Sequence, residues 1–189
     1  LKEIQVYPHL ADQTATVKIW ISSKNASKQK ATLQLSAKSF NSDQPHVVPS
    51  IKESVFLQDT LTLIEMQLKL GKEMQTWDEF SPALYKLTAT LEAEKQTDLQ
   101  EVTFGMREFT IQGKWFYVNG RKTMLRGTVE NCDFPLTGYA PMDRESWERV
   151  FRICKQYGLN HMRFHSYCPP EAAFQAADLV GFYLQPEGP

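Results

Sequence analysis

From Thr14 onward, apolar and polar residues alternate with a period of two. Val17, Ile19 and Ile21 face one way within Thr14 to Ser22, with Thr16, Lys18 and Trp20 opposite. Leu33, Leu35 and Ala37 repeat the pattern. So do Ile64, Met66, Leu68 and Leu70, and then Tyr85, Leu87, Ala89 and Leu91. Successive side chains of a strand point to opposite faces, so this alternation is what half-buried antiparallel strands require. Polar or breaker-rich intervals separate the runs: Ser23 to Lys30, Asn41 to Ser50 and Gly71 to Pro82. Short strands divided by turn signals predict an all-β, immunoglobulin-like sandwich over residues 1–108.

Beyond Phe104 the texture changes. Trp115 to Val118, Asn119-Gly120 and Arg121 to Leu125 read as a hairpin, because Asn-Gly suits the two positive φ angles of a type I′ turn. The period then becomes helical, with Trp147, Val150, Phe151, Cys154 and Tyr157 on one stripe, Asp143 as N-cap and Gly158 past the end. A second helix begins near Pro170, turns Phe174, Ala177 and Val180 inward, and stops at Gly181. Each glycine precedes a short apolar strand, Leu159 to Phe164 and Phe182 to Leu184. With Thr123 to Gly127 as the first strand, residues 109–189 predict an incomplete (β/α) barrel segment of about three strands and two helices. A whole barrel needs roughly 250 residues. Polar residues at the C-terminal ends of barrel strands face the active-site mouth, which singles out Arg163 and His165.

Composition narrows the chemistry. Basic and acidic residues number 21 and 22, for a net charge of −1, which favours neither a nucleic-acid nor a membrane partner. Aromatic content of 12% serves the core first, with sugar-stacking surfaces as the other use. Cys132, Cys154 and Cys168 form neither a disulfide framework nor a metal-binding pair, and no cofactor is expected. Cys154 is expected to be a small buried hydrophobe. His9 and His46 lack ligands at metal spacing, and no serine-hydrolase elbow or phosphate loop is present. Without an initiator methionine, signal peptide or transmembrane run, the chain is expected to be cut at both ends; no compartment, periplasmic or secreted, is assigned.

Several segments together resemble family 2 glycoside hydrolases, which include β-galactosidases, β-glucuronidases and β-mannosidases. Phe104-Gly105-Met106-Arg107-Glu108-Phe109 resembles that family's link from sandwich to barrel, as do Tyr117-Val118-Asn119-Gly120 and Met124-Leu125-Arg126-Gly127. Trp77, Ser81-Pro82 and Leu84-Tyr85 are similar to its signature near the end of the sandwich. His161 to Tyr167 resembles its second barrel strand, and Gly181 to Glu187 its third. The resemblance runs from Trp77 to Pro189; earlier strands agree only in class. It implies a retaining mechanism with two glutamates about 5 Å apart, an acid/base following the fourth strand in an Asn-Glu pair, and a nucleophile later still. No Asn-Glu pair occurs in this sequence, so both catalytic carboxylates are expected beyond Pro189 and the 189-residue chain is expected to be inactive.

The resemblance also implies a rim. Arg163 would hydrogen-bond the nucleophile's carboxylate, or else form an ordinary strand-end salt bridge. The family usually reads Arg-x-Ser-His-Tyr-Pro, whereas Arg163-Phe164-His165-Ser166-Tyr167-Cys168-Pro169 exchanges the histidine and serine. His165 therefore either touches sugar or fills a loop. Where galactosidase-like members carry a sugar-binding histidine, Thr128-Val129-Glu130-Asn131-Cys132 has none. Glu130 and Asn131 either bond hydroxyls in its place or serve as a loop carboxylate and a turn residue. Glu187 matches the acidic residue ending the third strand, or is simply structural. Carbohydrate is the expected partner of the whole enzyme. The rival function is a non-catalytic sandwich that binds carbohydrate or protein. Open barrel strands, Leu159 to Phe164 or Phe182 to Leu184, are expected to promote self-association.

Overall fold

A computed structural model describes residues 1–23, 29–57, 60–94 and 96–188, so most of the interval Ser23 to Lys30 lies outside the described residues. The chain divides into two compact units, residues 1–76 with 83–108, and residues 77–82 with 109–189.

The first unit contains β1 (Glu3–His9), β2 (Thr14–Ser22), β3 (Gln29–Phe40), β4 (Val47–Leu57), β5 (Leu61–Lys69), β6 (Leu84–Ala93) and β7 (Gln96–Phe104). One sheet has the order β1-β2-β5 and the other β4-β3-β6-β7, with antiparallel neighbours throughout. The alternating residues fill one core between the sheets: Val17, Ile19 and Ile21 from one face meet Leu33, Leu35, Leu87 and Ala89 from the other. Asn41 to Ser50 is not all loop, because β4 opens at Val47. It pairs β3 through a register shift between Leu35 and Ala37, whose partners are Ile51 and Val48. The extra residue breaks the alternation that would have announced the strand. His9 bonds the Thr16 hydroxyl, and His46 Nδ1 meets the Tyr85 hydroxyl at 2.7 Å.

The second unit carries a small antiparallel sheet of β8 (Phe109–Gln112), β9 (Trp115–Val118) and β10 (Arg121–Thr123), in the order β10-β9-β8. Asn119 and Gly120 turn between β9 and β10 with φ of 51° and 73°. Then follow β11 (Gly127–Glu130), α1 (Arg144–Gln156), β12 (His161–Phe164), α2 (Glu171–Val180) and β13 (Tyr183–Pro186). The three strands form a parallel sheet, β11-β12-β13. Asp143 caps α1 by accepting the Ser146 amide at 2.8 Å, and this bond holds its carboxyl below the usual range.

Five details differ from the sequence reading. The first parallel strand is Gly127–Glu130, not Thr123 to Gly127. The Asn160 side chain accepts from Arg126 N at 2.7 Å and donates to Met124 O at 3.0 Å, so these two groups bond a side chain rather than a neighbouring strand. Tyr157 is 82% exposed, because α1 ends before it and its ring leaves the stripe. Phe174 is half-buried; small Ala173, Ala176 and Ala177 fill the inner face of α2 instead. Cys154 is likewise half-buried, and burial pushes its thiol pKa up. Finally, β12 is central, with both edges already paired, so the open edges belong to β11 and β13.

One face of the parallel sheet is dry. Met162 and Phe164 join Trp147, Phe151, Ala173, Ala177 and Phe182 in a single cluster. The Phe151 and Phe182 rings stack with centroids 4.8 Å apart. The other face carries His161, Arg163 and Gln185.

Candidate functional site

Register decides which residues share that polar face. Gly127, His161 and Tyr183 lie abreast, followed by Val129, Arg163 and Gln185. Because side chains alternate, Arg163 and His161 point away from the helices while Met162 and Phe164 point toward them.

At the carboxyl end of β12, the Arg163 guanidinium donates to Glu187 Oε1 from Nε at 2.6 Å and from Nη2 at 2.5 Å. The second carboxylate oxygen accepts the Ser166 amide at 2.8 Å. Ser166 reaches it because the chain turns there with φ of 62°, a left-handed conformation uncommon for serine. The Ser166 amide and then the Arg163 guanidinium hold the Glu187 carboxyl below the ordinary glutamate range, and the nearby His165 adds to this. The guanidinium that the sequence pairs with a nucleophile is here already engaged by Glu187 on one side. Nη1 has no partner among the described residues.

The other expected rim residues are placed differently. His165 is exposed and donates its amide to Glu130 O at 2.8 Å, prolonging the strand pairing by one bond. Glu130 lies beside Phe164 in the register, on the face opposite Arg163. Its Oε1 accepts the Asp133 amide at 3.3 Å, and its buried Oε2 has no partner among the described residues. Asn131 is exposed, one residue beyond β11. Arg163 and Glu187 are thus in direct contact, His165 stands close to them, and Glu130 and Asn131 do not join them.

An acid titration tests the clamp. A carboxyl with a depressed folded pKa adds stability above its unfolded value, about 4.3, and this stability is lost as pH falls through the folded value. Glu187 is expected to titrate below ordinary glutamates in carbon-13 NMR, and Arg163→Ala to move it upward. An unshifted carboxyl in both proteins would remove the clamp.

The contact between Gly127 and His161 was not visible in the sequence. A Cβ at Gly127 would lie 2.3 Å from His161 Nδ1, so this glycine makes room for the imidazole next to it. Burial pushes the His161 pKa down, a hydrogen bond with the Gln185 side chain works the other way, and Nε2 has no hydrogen-bond partner among the described residues. Gly127→Ala is expected to displace the ring and destabilise the second unit by about 1–3 kcal/mol. Chemical denaturation reads the loss, and the Gly127→Ala/His161→Ala double variant should recover part of it. No recovery would show that the clash lies elsewhere.

A buried anchor fixes the other end of the strands. Glu79, 6% exposed, accepts from Asn160 Nδ2 at 3.0 Å and from Arg126 Nη2 at 3.1 Å. The Lys155 ammonium donates to Glu79 O at 2.5 Å and to Val180 O at 2.8 Å, and burial pushes its pKa down. Asn160 and Arg126 immediately precede β12 and β11, so this network sets where both strands start.

Fold and site define a protein built from a two-sheet β unit joined to a parallel α/β unit with a charged strand end. The model of the family "Glycosyl hydrolases family 2" matches residues 1–107, and the chain belongs to that family. A β-galactosidase of Thermoanaerobacterium thermosulfurigenes is 26% identical over 191 residues, covering 100% of this chain and 26% of the relative. A β-galactosidase of Thermoanaerobacter pseudethanolicus is 32% identical, over 73% of this chain and 20% of its own length. The crystal structure of a glycosyl hydrolase family 2 member from Bacteroides cellulosilyticus superposes with a TM-score of 0.83 at 21% identity, covering 98% of this chain and 25% of that one. The chain therefore spans about a quarter of the length of these relatives.

Proposed function

We propose that this chain is the immunoglobulin-like sandwich and the opening of the (β/α) barrel of a retaining glycoside hydrolase that cleaves a β-linked sugar. The observation that carries the reading is the Arg163–Glu187 pair at the carboxyl ends of adjacent parallel strands, where α/β folds place their chemistry. The family match and β-galactosidase relatives support the reaction class. Domains 1–108 and 109–189 would be the sandwich and the truncated barrel.

In this reading the two reacting carboxylates come from chain beyond Pro189, and the 189 residues alone are silent. One carboxylic acid would protonate the leaving oxygen while the other attacks the anomeric carbon. Arg163 acts on that second group electrostatically. Glu187 orients the guanidinium through Nε and Nη2, which leaves Nη1 to stabilise the nucleophile as an anion. His165, exposed beside the pair, would bond a sugar hydroxyl.

The test uses the longer enzyme and the 189-residue chain side by side on nitrophenyl β-glycosides. The longer enzyme should turn over, the chain should not, and Arg163→Ala should lower kcat/KM about 10²-fold, the usual loss for one electrostatic donor. Comparable rates from the 189-residue chain would overturn the truncation, and an unimpaired Arg163→Ala would remove the arginine from the mechanism.

A further inference from the structure

Far from Arg163 in the sequence, the sheet of the first unit carries two lysines in an unfavourable position. Lys38 on β3 and Lys86 on β6 stand directly opposite each other in the antiparallel register. Like charges so placed repel. Both leave the outer face, since Ala37 and Leu87 beside them are buried in the core. The adjacent carboxylate answers only one of them. Glu101 meets Lys86 Nζ at 3.4 Å, and its other oxygen accepts the Thr88 hydroxyl at 3.2 Å. Lys38 makes no ion pair among the described residues.

The lysine pair borders a groove of about 550 Å³, lined also by Ser36, Phe40, Val47, Thr88 and Glu101. The register shift of β4 falls opposite Ser36, and Val47 stands 67% exposed on the rim of the groove. The space is much larger than a simple ion needs. Phe40 and Val47 offer an apolar wall to the C–H face of a ring, and Ser36 and Thr88 offer hydroxyls. Glu101 accepts hydroxyl hydrogens, and its charge opposes any ligand carrying several negative groups.

We infer that this groove binds a saccharide bearing a single carboxylate, a uronic acid residue, with Lys38 and Lys86 on the carboxylate and the ring against Phe40 and Val47. The groove is lined by residues of the first unit alone, and the inference stands whether or not the hydrolase reading does.

The test is an NMR titration of the 189-residue chain with methyl galacturonoside, which carries one carboxylate, with neutral methyl galactoside and with sodium sulfate. Methyl galacturonoside should shift the Ser36 and Thr88 amides and bind at least about 10-fold more tightly than the other two probes, a factor fitting one charge-assisted bond. Lys38→Gln and Lys86→Gln should each weaken it about 10-fold. Lys52→Gln, on β4 and paired with Glu92, should leave it unchanged. Equal binding of sulfate would mean a patch for any anion and would overturn the proposal. Equal binding of methyl galactoside, an equal loss in Lys52→Gln, or no shift at Ser36 and Thr88 would overturn it as well.

Discussion

Replacing Trp77 with alanine is expected to cost the second unit about 3–5 kcal/mol, the range for emptying a large aromatic site in a core. The indole is 2% exposed and sits edge-on to the Tyr183 ring with centroids 5.6 Å apart. Its Nε1 donates to Asp178 O at 2.7 Å. Asp178 lies in the last turn of α2, where carbonyls have no partner within the helix, so the indole satisfies an acceptor the helix leaves open. Truncation thus removes packing and a bond together. Trp77→Phe separates them, keeping most of the packing and losing about 1 kcal/mol for the bond. The measurement is urea denaturation with amide exchange in β12 as the local probe. Protection of β12 that survives Trp77→Ala would show that the indole is not holding this unit.

Glu79→Ala is expected to cost about 3 kcal/mol. Breaking a buried ion pair typically costs 3–5 kcal/mol, and the half-exposed Arg126 lowers the figure, since water can take over part of its charge. The loss falls mainly on Asn160, which is fully buried and would keep an unpartnered Nδ2 hydrogen. Glu79→Gln retains that acceptor and forfeits the charge toward Arg126, so it should cost about 1 kcal/mol. A further contrast is spatial. Because Asn160 sets where β12 begins, Glu79→Ala should perturb the His161 and Met162 amides more than those of β8. Equal stability of the Ala and Gln variants would deny the carboxylate its anchoring role.

The parts of the fold legible in the sequence share a physical reason. β2, β3 and β6 each have neighbours on both sides and a core beneath, so every second residue had to be apolar; β5 is an edge strand but keeps the pattern because Met66 and Leu68 reach the same core. β1, β4 and β7 are edge strands, and their patterns are weak. In β7 only Phe104 is buried, while Leu99 is 60% exposed. Helix α1 was legible because Asp143, Trp147, Phe151 and Gly158 follow local rules of capping and period. The start of β11 was not, because it depends on Asn160, a residue 34 positions from Arg126. The site divides in the same way. Arg163 and Glu187 were marked by their positions at strand ends, whereas the face of Glu130 depends on a register that only pairing with β12 fixes.

The segment 77–82 also sets a timetable for synthesis. Trp77 leaves the ribosome 101 residues before Asp178, the carbonyl its indole will meet. At about 5–20 residues per second that interval is roughly 5–20 s. During it β6 can complete its pairing with β3, and β7 with β6, while the Trp77 indole and the Glu79 carboxylate wait without their partners. The nascent chain thus carries an uncovered aromatic and an unpaired acid for a period far longer than hydrophobic collapse takes. A chaperone that recognises exposed aromatic side chains would find its binding site open over that interval.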